Sequence, residues 1–113
     1  MQRKIMNKMY QVLWTQTAQQ DLRTIIAYIA DDNITVAQRI YTEIRQKCGN
    51  LRQLPHQERI VPELKYHGIT LYRELIIRPW RIIYKLEENK VWVLAVIDGR
   101  RNMEDILLNR FIL

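Results

Sequence analysis

The spacing of apolar residues changes between the two halves of the chain, and this change restricts the folds that it can adopt. Between Thr15 and Leu54, apolar residues recur every three or four positions, as they do on one face of an α-helix. From Leu71 onward the chain is rich in short apolar runs, and several of these alternate as β-strands do. The sequence therefore predicts helices first and a sheet formed mainly by the second half.

Two helices are predicted in the first half. The first runs over Thr17–Ala30, where Thr17 and Gln20 have the spacing of a capping box. The second runs over Val36–Leu54 and stops before Pro55, because proline cannot continue a helix. Gly49 costs roughly 1 kcal/mol relative to alanine inside a helix, so a bend or an early end is expected there. The short polar turn between the helices predicts an antiparallel hairpin.

Four strands are predicted, and the last three should be consecutive neighbours. They are Tyr10–Trp14, Leu71–Ile77, Trp80–Glu87 and Val91–Asp98. The segment His56–Thr70 is predicted as a loop with a short strand near Arg59–Val61, and Asn102 is positioned to cap a final helix. The expected architecture is α+β: a two-helix antiparallel hairpin packed on one face of a mainly antiparallel twisted sheet, with a short C-terminal helix.

Length and composition indicate one domain. The chain has 113 residues, and we expect residues 1–9 to form a disordered basic arm and residues 10–113 to form the domain. No signal peptide is predicted, because no apolar segment follows the basic residues of the arm; Met1, Met6 and Met9 are alternative starts. No apolar run approaches the roughly 20 residues of a membrane span. We therefore expect a cytoplasmic protein that does not enter a membrane.

The few sulfur and imidazole side chains give no sign of a cofactor. Cys48 is the one cysteine, which suits a reducing cytoplasm, and its place in a helical pattern indicates packing. Two histidines and one cysteine, widely spaced, do not make a zinc site. No cofactor and no metal are expected. The net charge of +6, from 18 basic and 12 acidic residues, favours an acidic partner.

Several local phrases, in this order and spacing, resemble the RelE/ParE superfamily of bacterial toxins. They are TQTAQQDLRTIIAYIA at Thr15–Ala30, RIVPEL at Arg59–Leu64, YRELII at Tyr72–Ile77, PWRIIYK at Pro79–Lys85 and VWVLAVIDGRR at Val91–Arg101. The resemblance implies a toxin of a type II toxin–antitoxin system that is held in complex with an antitoxin. RelE-like members are ribosome-dependent mRNA endoribonucleases, whereas ParE-like members inhibit DNA gyrase. Both use one scaffold, so the site residues must separate them.

The resemblance places four arginines at the functional surface: Arg73, Arg81, Arg100 and Arg101. RelE-like cleavage also needs groups that transfer protons. The second lysine position of the superfamily's first active strand falls on Leu75, and the tyrosine position of its C-terminal helix falls near Leu107. Arginine is a poor general base because its pKa exceeds 12. No catalytic residue is therefore assigned, and gyrase inhibition by a ParE-like toxin is expected, with RelE-like RNA cleavage as the alternative.

The arginines also have structural interpretations. Arg81 could pair with Glu63, and Arg100 could pair with Glu104, four residues later. Taken as a set, however, the four arginines are expected on one sheet face as a surface for phosphate or an acidic protein. We expect Arg81→Ala, and the pair Arg100→Ala with Arg101→Ala, to reduce toxicity without changing the thermal midpoint. A basic nucleic-acid-binding module without toxicity is a third possibility, although no helix carries clustered Lys and Arg.

One strand predicts the form of the partner's contact. Val91–Ile97 is apolar on both faces, so both should be covered, either by the chain itself or on one side by a partner. An apolar patch left open should be covered by an antitoxin segment, as a helix in a groove or as an added strand. The positive net charge predicts that this segment is acidic.

Overall fold

The structure is a computed structural model that describes residues 9–112, so residues 1–8 of the predicted arm lie outside the described residues. The elements along the chain are β1 (Gln11–Trp14), α1 (Gln16–Asp32), α2 (Ile34–Gly49), α3 (Pro62–Lys65), β2 (Tyr72–Ile77), β3 (Trp80–Glu87), β4 (Lys90–Asp98) and α4 (Met103–Phe111). Two short 3₁₀ turns, Asn50–Arg52 and Pro55–Gln57, follow α2. The predicted α+β architecture is confirmed.

A side chain caps the N-terminus of each of the two helices in the hairpin. The Thr15 hydroxyl accepts the backbone N–H of Ala18 at 3.1 Å and begins α1. The side chain of Asn33 accepts the N–H of Val36 at 3.0 Å and begins α2. The α-helical hydrogen bonding of α2 ends at Gly49, as its glycine predicts, and the 3₁₀ turn continues the path to Arg52.

The sheet is mostly antiparallel, with strand order β1-β4-β3-β2. Strands β2, β3 and β4 form the predicted antiparallel meander, so β3 has β2 and β4 on its two sides. Strand β1 pairs in parallel with the start of β4, from Gln11 opposite Lys90 to Trp14 opposite Val93. This pairing makes β4 a central strand over its first half only.

Helices cover both faces of the sheet. On one face, α1 and α2 pack their buried residues against Ile77, Ile82, Val93 and Val96. On the other face, α3 and α4 cover Ile83, Ala95 and Ile97. Over Ala95–Ile97 the predicted burial on both faces is achieved by the chain's own helices, whereas Trp92 and Leu94 are only partly buried. The hairpin of α1 and α2 lies on one face of the sheet, as predicted; the predicted C-terminal helix α4 lies on the other face, beside α3, which the sequence did not predict.

A bidentate ion pair fastens α4 to α1. The two Nη atoms of Arg110 lie 2.8 and 2.9 Å from the carboxylate oxygens of Asp21. The same carboxylate accepts the backbone N–H of Val96 at 3.0 Å. Because β1 ends opposite Val93, this part of β4 has no strand on the side away from β3, and Asp21 supplies the missing acceptor.

Candidate functional site

Arg81 lies at the centre of a cluster of ion pairs on the sheet face that carries α3 and α4. Its guanidinium forms two hydrogen bonds to Glu63 of α3, at 2.8 and 2.6 Å. It forms two more to Glu74 of β2, at 2.6 and 3.0 Å. The structural interpretation, in which Arg81 pairs with Glu63, is confirmed, and Glu74 is a second partner that the sequence did not indicate.

Glu74 is fully buried and is the one charged residue classed as buried in the described part of the chain. Besides Arg81, it accepts a hydrogen bond from Nε of Arg59 at 2.6 Å. The hydrogen bond from Arg81 is the main reason why the pKa of Glu63 is lowered, and the bond to Glu63 is the main reason why that of Arg81 is raised. Arg59, Glu63, Glu74 and Arg81 are called the ion-pair cluster below.

Arg73 lies on the opposite face of the sheet. It stands beside Tyr84 in the register of β2 and β3. Its Nη1 donates to the backbone carbonyls of His56 and Glu58, at 3.1 and 2.6 Å. The Tyr84 hydroxyl donates to the carbonyl of Pro55 at 2.6 Å. Arg73 therefore holds the loop after α2 in place, and the expectation that it shares a sheet face with Arg81 is wrong.

Arg100 and Arg101 follow β4 and are exposed. Arg100 forms two side-chain hydrogen bonds to Asp98, at 2.9 and 2.6 Å, and these lower the pKa of Asp98 to about 2. Its suggested pairing with Glu104 is wrong, because Glu104 lies 3.0 Å from Nε2 of His67. Within residues 9–112, the guanidinium of Arg101 forms no hydrogen bond or ion pair.

Next to the ion-pair cluster is an open concavity of about 570 Å³, called the arginine basin. It is lined by Arg59, Ile76, Arg78, Pro79, Arg81, Gly99 and Arg100. A side chain at Gly99 would begin 3.0 Å from Cδ of Arg81 and 3.1 Å from the carbonyl oxygen of Pro79, so glycine permits this close packing. Two of the four predicted arginines, Arg81 and Arg100, meet here.

Arg78 is a residue of the basin that sequence reasoning missed. It lies with Pro79 in the two-residue connection between β2 and β3, and it is exposed. Its guanidinium has no hydrogen-bond or ion-pair partner in the described part of the chain. The signal that could have identified it is its place at the corner of a hairpin, next to the strand that carries Arg81.

The basin can bind anions, but it lacks groups that exchange protons near neutral pH. The titratable side chains that line it are all guanidinium groups, which are donors only. Leu107, at the superfamily's tyrosine position, is fully buried between α4 and the sheet. Leu75, at the lysine position, packs with the core on the other face. Tyr84 is buried there too, and burial raises its pKa.

Cys48 is a packing residue, as its helical spacing predicts. Its side chain is fully buried against the sheet, in the core that α1 and α2 form. Burial raises the pKa of the thiol to about 12, against a small opposing effect of Arg45. At neutral pH the group is a protonated thiol, so it is a poor nucleophile.

A second surface feature lies on the helical hairpin. A cavity of about 510 Å³ between α1 and α2 is lined mainly by apolar and small side chains, among them Ile26, Ala30, Ile34 and Tyr41. Ile34 and Tyr41 are 64% and 44% exposed, which is high for large apolar residues. This groove has no charged lining residue and differs in chemistry from the arginine basin.

The structure is a helical hairpin on a four-stranded sheet with a cationic concavity at one end, which is the α+β architecture expected from the resemblance to the RelE/ParE superfamily. Residues 12–103 match the family model described as "ParE toxin of type II toxin-antitoxin system, parDE", and the chain belongs to this family. The chain is thus a ParE-like toxin, as its resemblance implied.

A solved structure supports the same fold. A chain titled "Chromosomal ParDE TA system from P. aeruginosa" aligns with a TM-score of 0.66 and 19% sequence identity. The alignment covers 80% of the present chain and 97% of that one. No curated protein matches the chain in sequence. Among the helices of residues 9–112, none is both long and apolar enough to cross a membrane.

Proposed function

We propose that this ParE-like toxin acts by binding DNA gyrase, and that an antitoxin neutralises it by occupying its exposed surface. Membership of the family supplies the toxin role. The choice of gyrase over RNA cleavage rests on the residues at the superfamily's functional positions. The residues at these positions are arginines, which can only donate hydrogen bonds, and leucines, which pack in the core. Neither type is suited to general acid–base catalysis.

The observation that carries this proposal is the state of Arg81. RNA cleavage requires cations that are free to stabilise a pentavalent phosphorane. The guanidinium of Arg81 instead makes four hydrogen bonds to Glu63 and Glu74, and the side chain of Arg81 is only 11% exposed. Because two carboxylates already compensate its charge, Arg81 has little charge left with which to stabilise a phosphorane. Leu107 supplies no acid at the tyrosine position.

Exposed cations remain for a binding role. Arg78 and Arg101 form no salt bridge within residues 9–112, and the side chain of Arg100 is 76% exposed beside Asp98. We propose these three arginines as the contact surface for the acidic face of a target protein. Charge complementarity of this kind raises association rates and fixes orientation. Arg73 and Arg81, by contrast, stabilise the fold that places these three arginines at the surface.

The experiment compares two activities of the purified toxin. Gyrase supercoiling is measured on relaxed plasmid, and mRNA integrity is measured by primer extension in a reconstituted translation system. We expect supercoiling to be inhibited in proportion to toxin concentration while mRNA stays intact. Cuts at codon-specific positions with normal supercoiling would establish the RelE-like alternative instead. The antitoxin should restore supercoiling when added at equal concentration.

A further inference from the structure

The outer edge of β2 is closed over only half of its length. Strand β2 is the last strand of the sheet, so one of its sides has no neighbouring strand. Residues Arg59–Val61 cover its first half: the N–H of Val61 donates to the carbonyl of Tyr72 at 2.9 Å, and the N–H of Glu74 donates to that of Arg59 at 3.0 Å. The residues before Arg59 do not continue along this edge, because the chain forms the 3₁₀ turn Pro55–Gln57 there.

Ile76 is where this edge becomes open. Backbone groups of alternate residues point to the same side of a strand, so those of Ile76 point outward like those of Tyr72 and Glu74. Neither its N–H nor its carbonyl has a backbone partner outside the sheet within residues 9–112. Its side chain is 38% exposed and lines the arginine basin. The edge therefore offers one donor, one acceptor and an apolar contact side by side.

The charged side chains that line the basin beside this open edge are all arginines. The guanidinium groups of Arg59, Arg78 and Arg100 line the same basin as Ile76. The nearby carboxylates are all paired: Glu63 and Glu74 with Arg81, Glu74 also with Arg59, and Asp98 with Arg100, whose side chain is still 76% exposed. A segment lying along Ile76 would therefore meet cations on its flanks. Carboxylates, which accept bidentate hydrogen bonds from arginine, match this surface best.

We propose that an acidic, extended segment of the antitoxin adds to the sheet beside β2, pairing its backbone with Ile76 and placing carboxylates on Arg78 and Arg100. The proposal rests on the antitoxin role proposed above and specifies where and how that partner binds. Only a short stretch of edge is open, so few backbone hydrogen bonds form. Binding then depends strongly on the charge pairs, and it weakens as salt is added.

The test uses the full-length toxin and a short synthetic peptide of alternating glutamate and valine. Two control peptides replace every glutamate by lysine, or carry N-methyl groups that block backbone donors. Binding is followed by backbone NMR, with hydrogen exchange read at the amide of Ile76. We expect the acidic peptide to slow exchange at Ile76 and shift Arg78, and the control peptides to do neither.

A matched pair of toxin variants separates this site from net charge. Arg78→Ala with Arg100→Ala removes two cations from the basin, and Arg23→Ala with Arg39→Ala removes two exposed cations from α1 and α2. The basin variant should bind the acidic peptide at least about tenfold more weakly, since each lost charge-assisted contact is worth about that much. The hairpin variant should bind nearly as the parent does.

Equal weakening in both variants, tight binding of the N-methylated peptide, or no change at the Ile76 amide would overturn the proposal. None of these outcomes depends on the gyrase assay. The peptide measurements therefore test the proposed antitoxin site at the edge of β2, and the supercoiling assay separately tests the proposed action on gyrase.

Discussion

Nη2 of Arg81 lies 2.6 Å from Oε1 of Glu63, although the two residues are 18 positions apart and belong to different elements. Glu63 is on α3, a helix of only four residues, and Arg81 is on β3. A helix this short cannot be stable alone. The bidentate pair, with the burial of Val61 and Leu64, therefore holds α3 on the sheet.

Removal of Arg81 should destabilise the protein. Arg81→Ala leaves the buried carboxylate of Glu74 with Arg59 alone, and breaking a buried ion pair in this way costs about 3–5 kcal/mol. For a domain of this size the thermal midpoint should fall by on the order of 10 °C or more. The prediction from the sequence of an unchanged thermal midpoint assumed that Arg81 is exposed. The ion pairs of Arg81 in the structure reverse that prediction.

Arg78→Ala is the matched control for this measurement. It also removes one arginine from the basin, but its side chain is exposed and has no partner in the described part of the chain, so the change should stay within about 1 kcal/mol. Equal midpoints for the two variants in thermal unfolding would contradict the structural role of Arg81.

Acid should weaken the attachment of α3 through Glu63. The folded-state pKa of Glu63 is lowered by Arg81 from its usual 4.5, so its contribution to stability is present above the unfolded pKa. That contribution is lost as the pH falls below about 4.5, through the folded pKa. Glu63→Gln should unfold with a flatter pH dependence in this range. Asp98, with a pKa of about 2, titrates in both proteins and cancels in the comparison; parallel curves would disprove the coupling.

The clamp between α4 and α1 should show an asymmetry between its two residues. Arg110→Ala removes a partly exposed ion pair and should cost about 1 kcal/mol. Asp21→Ala also leaves the N–H of Val96 without its acceptor, which adds about 1–3 kcal/mol. Urea unfolding measures both losses, and Asp21→Asn, which keeps an acceptor oxygen, should recover part of the second. Equal losses for the two alanine variants would rule out the role of Val96.

The exposed pair after β4 should affect toxicity and leave stability unchanged. Arg100→Ala with Arg101→Ala removes two solvated cations, so the thermal midpoint should barely move. If these residues contact the target, binding should weaken by about one to two decades, from roughly 1.5–3 kcal/mol for a charge-assisted contact. A growth assay under induced expression reads the loss of toxicity. Full toxicity would move the target surface elsewhere, with the groove between α1 and α2 as the next candidate.

Cys48 should be inert in the folded protein. Its pKa is raised from 9.0 to about 12, which lowers the thiolate fraction near neutral pH by about a thousandfold. Iodoacetamide should therefore label the native chain far more slowly than the chain in denaturant, as counted by mass spectrometry. Similar labelling rates would show that the core around α2 opens readily.

Periodicity in the sequence was sufficient to predict the large elements. The stripe from Ala18 to Ile29 predicted α1, the alternation from Trp80 to Leu86 predicted β3, and Gly49 marked the end of α2. The helix α3 was missed, because four residues contain about one helical turn and show no repeat. Its stability comes from contacts with β3 and α4, which are distant in sequence.

The site was less predictable than the fold. Alternation correctly placed Arg81 and Tyr84 on opposite faces of β3. It could not show that Arg73 stands opposite Tyr84 and binds loop carbonyls, because that depends on the register between β2 and β3. Nor could it reveal Glu74 as a partner, because neutralisation of a charge depends on which strands become neighbours.

The pairing of β1 with β4 also bears on when, during synthesis, the chain becomes harmful. Gln11 has its partner in Lys90, so the earliest strand waits for the latest one before it can join the sheet. Contacts of such long sequence separation form late and slow folding. A nascent chain that has not reached Asp98 has neither the centre of its sheet nor the corner that holds Arg100. The fold that carries toxicity is therefore complete only after this region has been translated.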